Sequence, residues 1–134
     1  DRVLIMRRAL ADDAGSAVVE FVLVSSMLTL LVLGVLQLGL ALHVRNALIA
    51  AAGEGARFAA LADTGVADGI TRTKALIATS LGSSFAVTVA AQSTTVDGIP
   101  AIAMTVTAPL PVAGLLGPAG MLEVVGRAPV ETLD

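Results

Sequence analysis

The sequence predicts an α+β protein: a long N-terminal transmembrane helix, a second amphipathic helix and a small antiparallel three-stranded sheet. Three observations carry that prediction. Phe21 to Leu42 runs for 22 residues without a charge. An Ala-rich stretch of helical character follows it. From Ser84 the apolar period drops to two, and Asp97-Gly98 separates two alternating runs. The overall composition agrees, with 56% hydrophobic and 14% charged residues against a usual charged share of about 25%. The apolar excess sits in one block, which points to lipid, because a soluble core helix would show a polar stripe.

Taken in order, residues 1–15 form a short leader with Arg2, Arg7 and Arg8, then Asp12 and Asp13. Arginines ahead of an apolar span bias the amino end toward the cytoplasm, and only Arg45 lies close to the far flank. As a helix the span would be about 33 Å long at 1.5 Å per residue, enough to cross roughly 30 Å of hydrocarbon. Ser25, Ser26, Thr29 and Gln37 interrupt it. Their side chains can bond back to the helix or across to a neighbouring one. Beyond His43 the pattern turns amphipathic and extends the helix to about Leu61, where Asp63, Thr64 and Gly65 end it. The expected division is therefore a leader at 1–15, an N-terminal helix at 16–61 and an extracytoplasmic α+β domain at 62–134.

The second helix is expected from Asp68, as N-cap, to Leu81, with Ile70, Lys74, Ile77 and Leu81 on one face and Gly82 as the stop. A first strand is expected where Phe85, Val87 and Val89 alternate with Ala86, Thr88 and Ala90. The second has Ile102, Met104 and Val106 alternating with Ala103, Thr105 and Thr107. Asp-Gly between them is the dipeptide of a tight hairpin, and Pro100 fits a strand start. Pro109 to Gly120 reads as a loop, and Leu122 to Val130 as a third strand edged at Pro129. The amphipathic continuation of the first helix is the expected cover for the sheet.

Function classes narrow quickly. A net charge of −3 with a single lysine and no Trp or Tyr offers nothing for nucleic acid. No cysteine means no disulfide, thiolate ligand or cysteine nucleophile. His43 is the one histidine and has no acids clustered around it. Asp63, Asp68 and Asp97 read as turn and cap residues. No nucleophile elbow, phosphate loop or metal-binding helix is present, so neither a catalytic residue nor a metal, cofactor or small-molecule substrate is expected.

The informative stretch is Gly15-Ser16-Ala17-Val18-Val19-Glu20-Phe21. It sets a glycine at the boundary between charged leader and apolar span, and a carboxylate five residues later at the head of the span. Insertion of an acid at the bilayer centre costs about 2.5–3.5 kcal/mol on translocon scales, and less near the interface. The helix dipole offsets about 0.3–1 kcal/mol of that. A capping box from Ser16 would need its acid at position 19, which is Val19.

These residues resemble the type IV prepilin processing site in its Flp form. The span, the following NALIAAAGEGARFAA and the β-rich tail are similar to the TadE-like pseudopilins. The resemblance implies a pilin-like fold and cleavage after Gly15 by a membrane-embedded prepilin peptidase, with Ser16 as the new amino terminus. It implies that Glu20 would pair with a free amine and set the register between subunits. Phe21 would stand where the major-pilin pattern usually has Tyr. Glu54 and Arg57, three apart, read as a surface ion pair to which the resemblance adds a docking role. The implied partners are the peptidase, other pilin or pseudopilin subunits and the membrane. The implied location is the bacterial cytoplasmic (inner) membrane, with the amino end in the cytoplasm and the C-terminal domain outside it, or else the pilus itself. An uncleaved single-pass anchor carrying a binding or scaffold domain is the alternative. An ordinary secretory signal fits less well, because the span exceeds the usual 7–15-residue apolar region.

Overall fold

Residue order and backbone propensity lead to five elements in the computed structural model, which describes residues 1–61, 63–85, 87–109 and 120–132. They are α1 (Arg2–Ala60), α2 (Val66–Leu81), β1 (Thr88–Val96), β2 (Ile99–Pro109) and β3 (Met121–Pro129). The fold is α+β as expected. The chain divides into two units, Asp1–Leu36 and Gln37–Asp134.

The first unit is helical from Arg2 onward. Leu, Met, Arg and Ala dominate its opening turns and are strong helix formers. Two hydroxyls of the apolar stretch bond back to their own helix. Ser26 Oγ donates to the Val22 carbonyl at 2.6 Å and Thr29 Oγ1 to the Ser25 carbonyl at 2.8 Å. Each satisfies a hydroxyl donor within the helix itself, as a helix long and apolar enough to cross a membrane would require there.

In the second unit the sheet has the order β1-β2-β3 and both pairings are antiparallel. Val96 pairs with Ile99 across a two-residue turn. Asp97 and Gly98 have φ of 53° and 79°, the left-handed pair that a type I′ hairpin needs. On the inner face Ile102, Met104, Val106 and Ala108 of β2 line up with Leu122, Val124, Gly126 and Ala128 of β3. The later part of α1 covers that face. Val44, Leu48, Ala51 and Ala52 form one core cluster with Ile77, Val106, Ala108 and Val124. Ala56, Ala59 and Ala60 form a second with Ile102, Met104 and Ala128. Burying large apolar side chains such as Leu48, Ile77 and Met104 contributes about 1.5–3 kcal/mol each. Alanines on the helix let its backbone come close to the strands.

Close approach recurs twice. A Cβ on Gly126 would collide with the backbone of α1 at Ala52 and Gly53, and one on Gly55 would collide with the Thr73 hydroxyl. The end of α1 is tied off by backbone bonds. Glu131 N–H donates to the Ala60 carbonyl at 2.9 Å, satisfying one of the carbonyls that a helix end leaves open.

Several elements differ in detail from the sequence-based expectation. Asp68 is not the N-cap. α2 begins at Val66 after Gly65, and Asp68 is the third helical residue, its carboxylate accepting the Gly65 N–H at 3.0 Å. This is one half of a capping box, and it allows the helix to start earlier. Lys74 is exposed, and the buried seam of α2 is Gly69, Thr73 and Ile77. Small residues win there because α1 lies too close for a lysine stem. The first strand starts at Thr88 rather than Phe85. Phe85 N–H donates to the Gly82 carbonyl at 3.2 Å, so a turn occupies those residues. Ala86 and residues 110–119, most of the expected loop, lie outside the described residues.

Candidate functional site

The junction Gly15–Phe21 is a continuous stretch of α1. A glycine inside a helix costs about 0.5–1 kcal/mol relative to alanine. A Cβ built on Gly15 meets nothing within 4 Å, so no packing within this chain requires the missing side chain. Gly55 and Gly126 have a structural reason to be glycine; Gly15 has none of that kind.

Ser16 and Glu20 are four apart on the helix, a spacing that stacks them on one face with Cβ atoms about 5–6 Å apart. Both are exposed, as are Gly15 and Phe21, the last 72% accessible. Among the described residues Glu20 has neither an ion-pair nor a hydrogen-bond partner. A carboxylate inside α1, just ahead of its charge-free span, is thus available for a positive group, and the backbone of residue 16 lies one turn away. Downstream of it, the helix is long and apolar enough to cross a membrane, and no residue of its most apolar window is buried.

Glu54 and Arg57 belong to the second unit. They form an ion pair of 3.8 Å with the Arg57 and Glu54 side chains 76% and 46% exposed. A pair of this kind contributes about 0.2–0.5 kcal/mol on a helix surface. Both residues border an open groove of about 620 Å³ that Ala47, Ala50, Gly53 and Leu76 also line. The neighbouring Gly55 and Ala56 point inward and are buried. The Gly-Glu-Gly-Ala-Arg run therefore has two sides, with Gly55 and Ala56 serving packing and Glu54 and Arg57 facing out. Sequence reading missed the packing half, because a glycine opposite a threonine leaves no apolar signal. His43 is exposed, and among the described residues no group of three His, Asp or Glu side chains could hold a metal ion.

Residues 15–57 match the model of a protein family described as TadE-like protein. The match opens on Gly15 and closes on Arg57, so it takes in the junction, the apolar span and the ion pair, and leaves α2 and the sheet outside. No curated protein and no solved structure matches the chain.

Proposed function

From its TadE-like segment at residues 15–57, we propose that the chain is a minor pilin, or pseudopilin, of a tight-adherence type IV-like pilus. The observation that carries this reading is the junction itself. Gly15, free of any packing role, precedes by five residues an unpaired carboxylate at the head of a charge-free span.

In this reading a prepilin peptidase hydrolyses the Gly15–Ser16 bond at the cytoplasmic face of the membrane. Water adds across the amide, leaving a carboxylate on Gly15 and an amine on Ser16. A protease needs an extended backbone, and α1 is helical through the bond. Apart from proline, glycine is the residue that unwinds from a helix at least cost, and its lack of a side chain admits the enzyme closely. The freed Ser16 amine and the Glu20 carboxylate then stand one helical turn apart. Either the same chain or a neighbouring subunit can provide the amine, and the pairing of two charges in a low-dielectric setting fixes the axial register between parallel helices. The exposed Glu54–Arg57 ridge is a candidate contact for a neighbour. The role is assembly rather than catalysis.

A second reading is an uncleaved membrane anchor bearing a binding or scaffold domain. The unbroken helix through Gly15 favours it. Two variants separate the readings in cells that contain the peptidase and the pilus machinery. Gly15→Leu should block processing, and Glu20→Ala should be processed but fail to enter filaments. Unaltered migration of Gly15→Leu alongside wild type, both full length, would favour the uncleaved anchor.

A further inference from the structure

The second unit has two ends, and charge separates them. α2 runs antiparallel to α1, with Thr73 beside Gly55 while Ile77 shares a core cluster with Val44 and Leu48. β2 also runs back along α1, since Ile102 and Met104 pack with Ala56 and Ala60, but Val106 and Ala108 pack with Val44 and Leu48. One end of the unit therefore carries the connections after α1 and after β1, with Asp63, Asp97 and, beyond β3, Glu131. The other carries the connections from α2 to β1 and from β2 to β3. These fall in two intervals, 75–96 and 98–122, that contain no Asp, Glu, Lys or Arg. Exposed apolar side chains occur at both ends, Val96 and Ile99 at the first and Met121 at the second. Absence of charge is what marks the second.

Contacts fix the level of that end along α1. Gln37 to Leu42, the close of the charge-free span, belongs to this same unit. Gly126 of β3 lies against the α1 backbone at Ala52. Met121 is five residues back along the strand, about 17 Å at roughly 3.4 Å per residue. Leu42 is ten residues back along the helix, about 15 Å at roughly 1.5 Å per residue. Met121 therefore reaches the level at which the span ends. The domain grips α1 from Val44, which is buried, so no linker separates span from domain. The interfacial layer on each face of a bilayer is about 5–8 Å thick. If the span crosses a membrane, the uncharged end is held inside that layer.

We propose that this end of the domain is a lipid-binding surface, seated on phospholipid in the leaflet that α1 leaves at Leu42. Met121, 65% exposed at the start of β3, enters the boundary of the acyl chains. The exposed hydroxyls of Ser83 and Ser84, in the turn after α2, meet headgroups. Arg45 is exposed on α1 close to the same level; its stem can lie on apolar surface while the guanidinium reaches a phosphate. An acid at this end would face phosphates of its own sign and be costly to lower toward the acyl chains, which accounts for the two charge-free intervals. Met121 from the sheet and Ser84 from the helical side give two footholds besides α1, enough to stop the domain tilting about its anchor. The inference rests on α1 crossing a membrane, which both readings of the function share, and is independent of cleavage.

The chain has neither Trp nor Tyr, so one introduced Trp reports one position. Full-length Met121→Trp, Ser84→Trp, Ile99→Trp and Leu38→Trp proteins, made without the peptidase, are placed singly in phosphatidylcholine nanodiscs. Trp emission is compared with and without a lipid carrying a nitroxide on its headgroup. Leu38→Trp reports the anchor, and Ile99→Trp reports the far end of the domain. One chain per disc leaves no neighbouring subunit to cover the surface, so quenching reports lipid. The expected result is that Met121→Trp and Ser84→Trp lose emission to the nitroxide lipid much as Leu38→Trp does, while Ile99→Trp keeps it. Quenching at Leu38→Trp with neither Met121→Trp nor Ser84→Trp affected would leave the anchor standing and overturn the seating. Equal quenching of Met121→Trp and Ile99→Trp would overturn it as well. An unquenched Leu38→Trp would overturn the anchor and the seating together.

Discussion

The Thr73 hydroxyl occupies the space that a side chain on Gly55 would need, and it is held there by donating to the Gly69 carbonyl at 2.8 Å. Gly69 is constrained in turn, because a Cβ there would meet Ala59 and the Gly55 carbonyl. The crossing of α1 and α2 thus rests on two glycines and a buried threonine whose hydroxyl is satisfied within its own helix.

Gly55→Ala should therefore destabilise the second unit by about 1–3 kcal/mol, the range for overpacking a filled interior. Chemical denaturation of the full chain in detergent measures it. Adding Thr73→Ala should recover part of the loss, since the clash is with the hydroxyl. A double variant as unstable as the two single losses added together would mean that the two residues do not interact.

Gly53 and Gly126 should respond with opposite signs. A Cβ on Gly53 meets nothing within 4 Å, so Gly53→Ala should gain about 0.5–1 kcal/mol from helix propensity. A Cβ on Gly126 would run into the α1 backbone at Ala52, where no side chain can move aside. Gly126→Ala should lower the unfolding midpoint, and equal stability of the two variants would contradict the spacing between helix and sheet.

The hairpin turn makes a third case. Gly98 has φ of 79° and Asp97 has φ of 53°, and left-handed backbone costs an L-residue about 1–2 kcal/mol. Gly98→Ala should lose about that amount, whereas Asp97→Asn should be close to neutral because asparagine tolerates the conformation. Both are read by thermal unfolding.

Much of this architecture is legible in the chain. Twenty-two uncharged residues, a period-two pattern and Asp-Gly between strands are local signals, and each element they announce exists. What escaped has a common cause. The seam of α2 is Gly69, Thr73 and Ile77, and small residues in tight packing look like indifferent surface in a sequence. Phe85 and Val87 extend an alternating run, yet the Phe85–Gly82 backbone bond takes the first of them into a turn, a competition no periodicity reveals. The junction at Gly15 to Phe21 was readable because it lies on one helix, where spacing alone sets geometry. Its proposed use, as a cleavage and register site, rests on an enzyme and on neighbours that lie outside the chain.

The central claim is cleavage, and the mass and amino-terminal sequence of the protein recovered from membranes containing its own prepilin peptidase test it most directly. The account predicts a chain beginning at Ser16, and a chain retaining residues 1–15 when the peptidase is inactive or Gly15 is replaced by Leu. A chain that keeps residues 1–15 in the presence of active peptidase would contradict the pilin reading and leave a membrane-anchored domain.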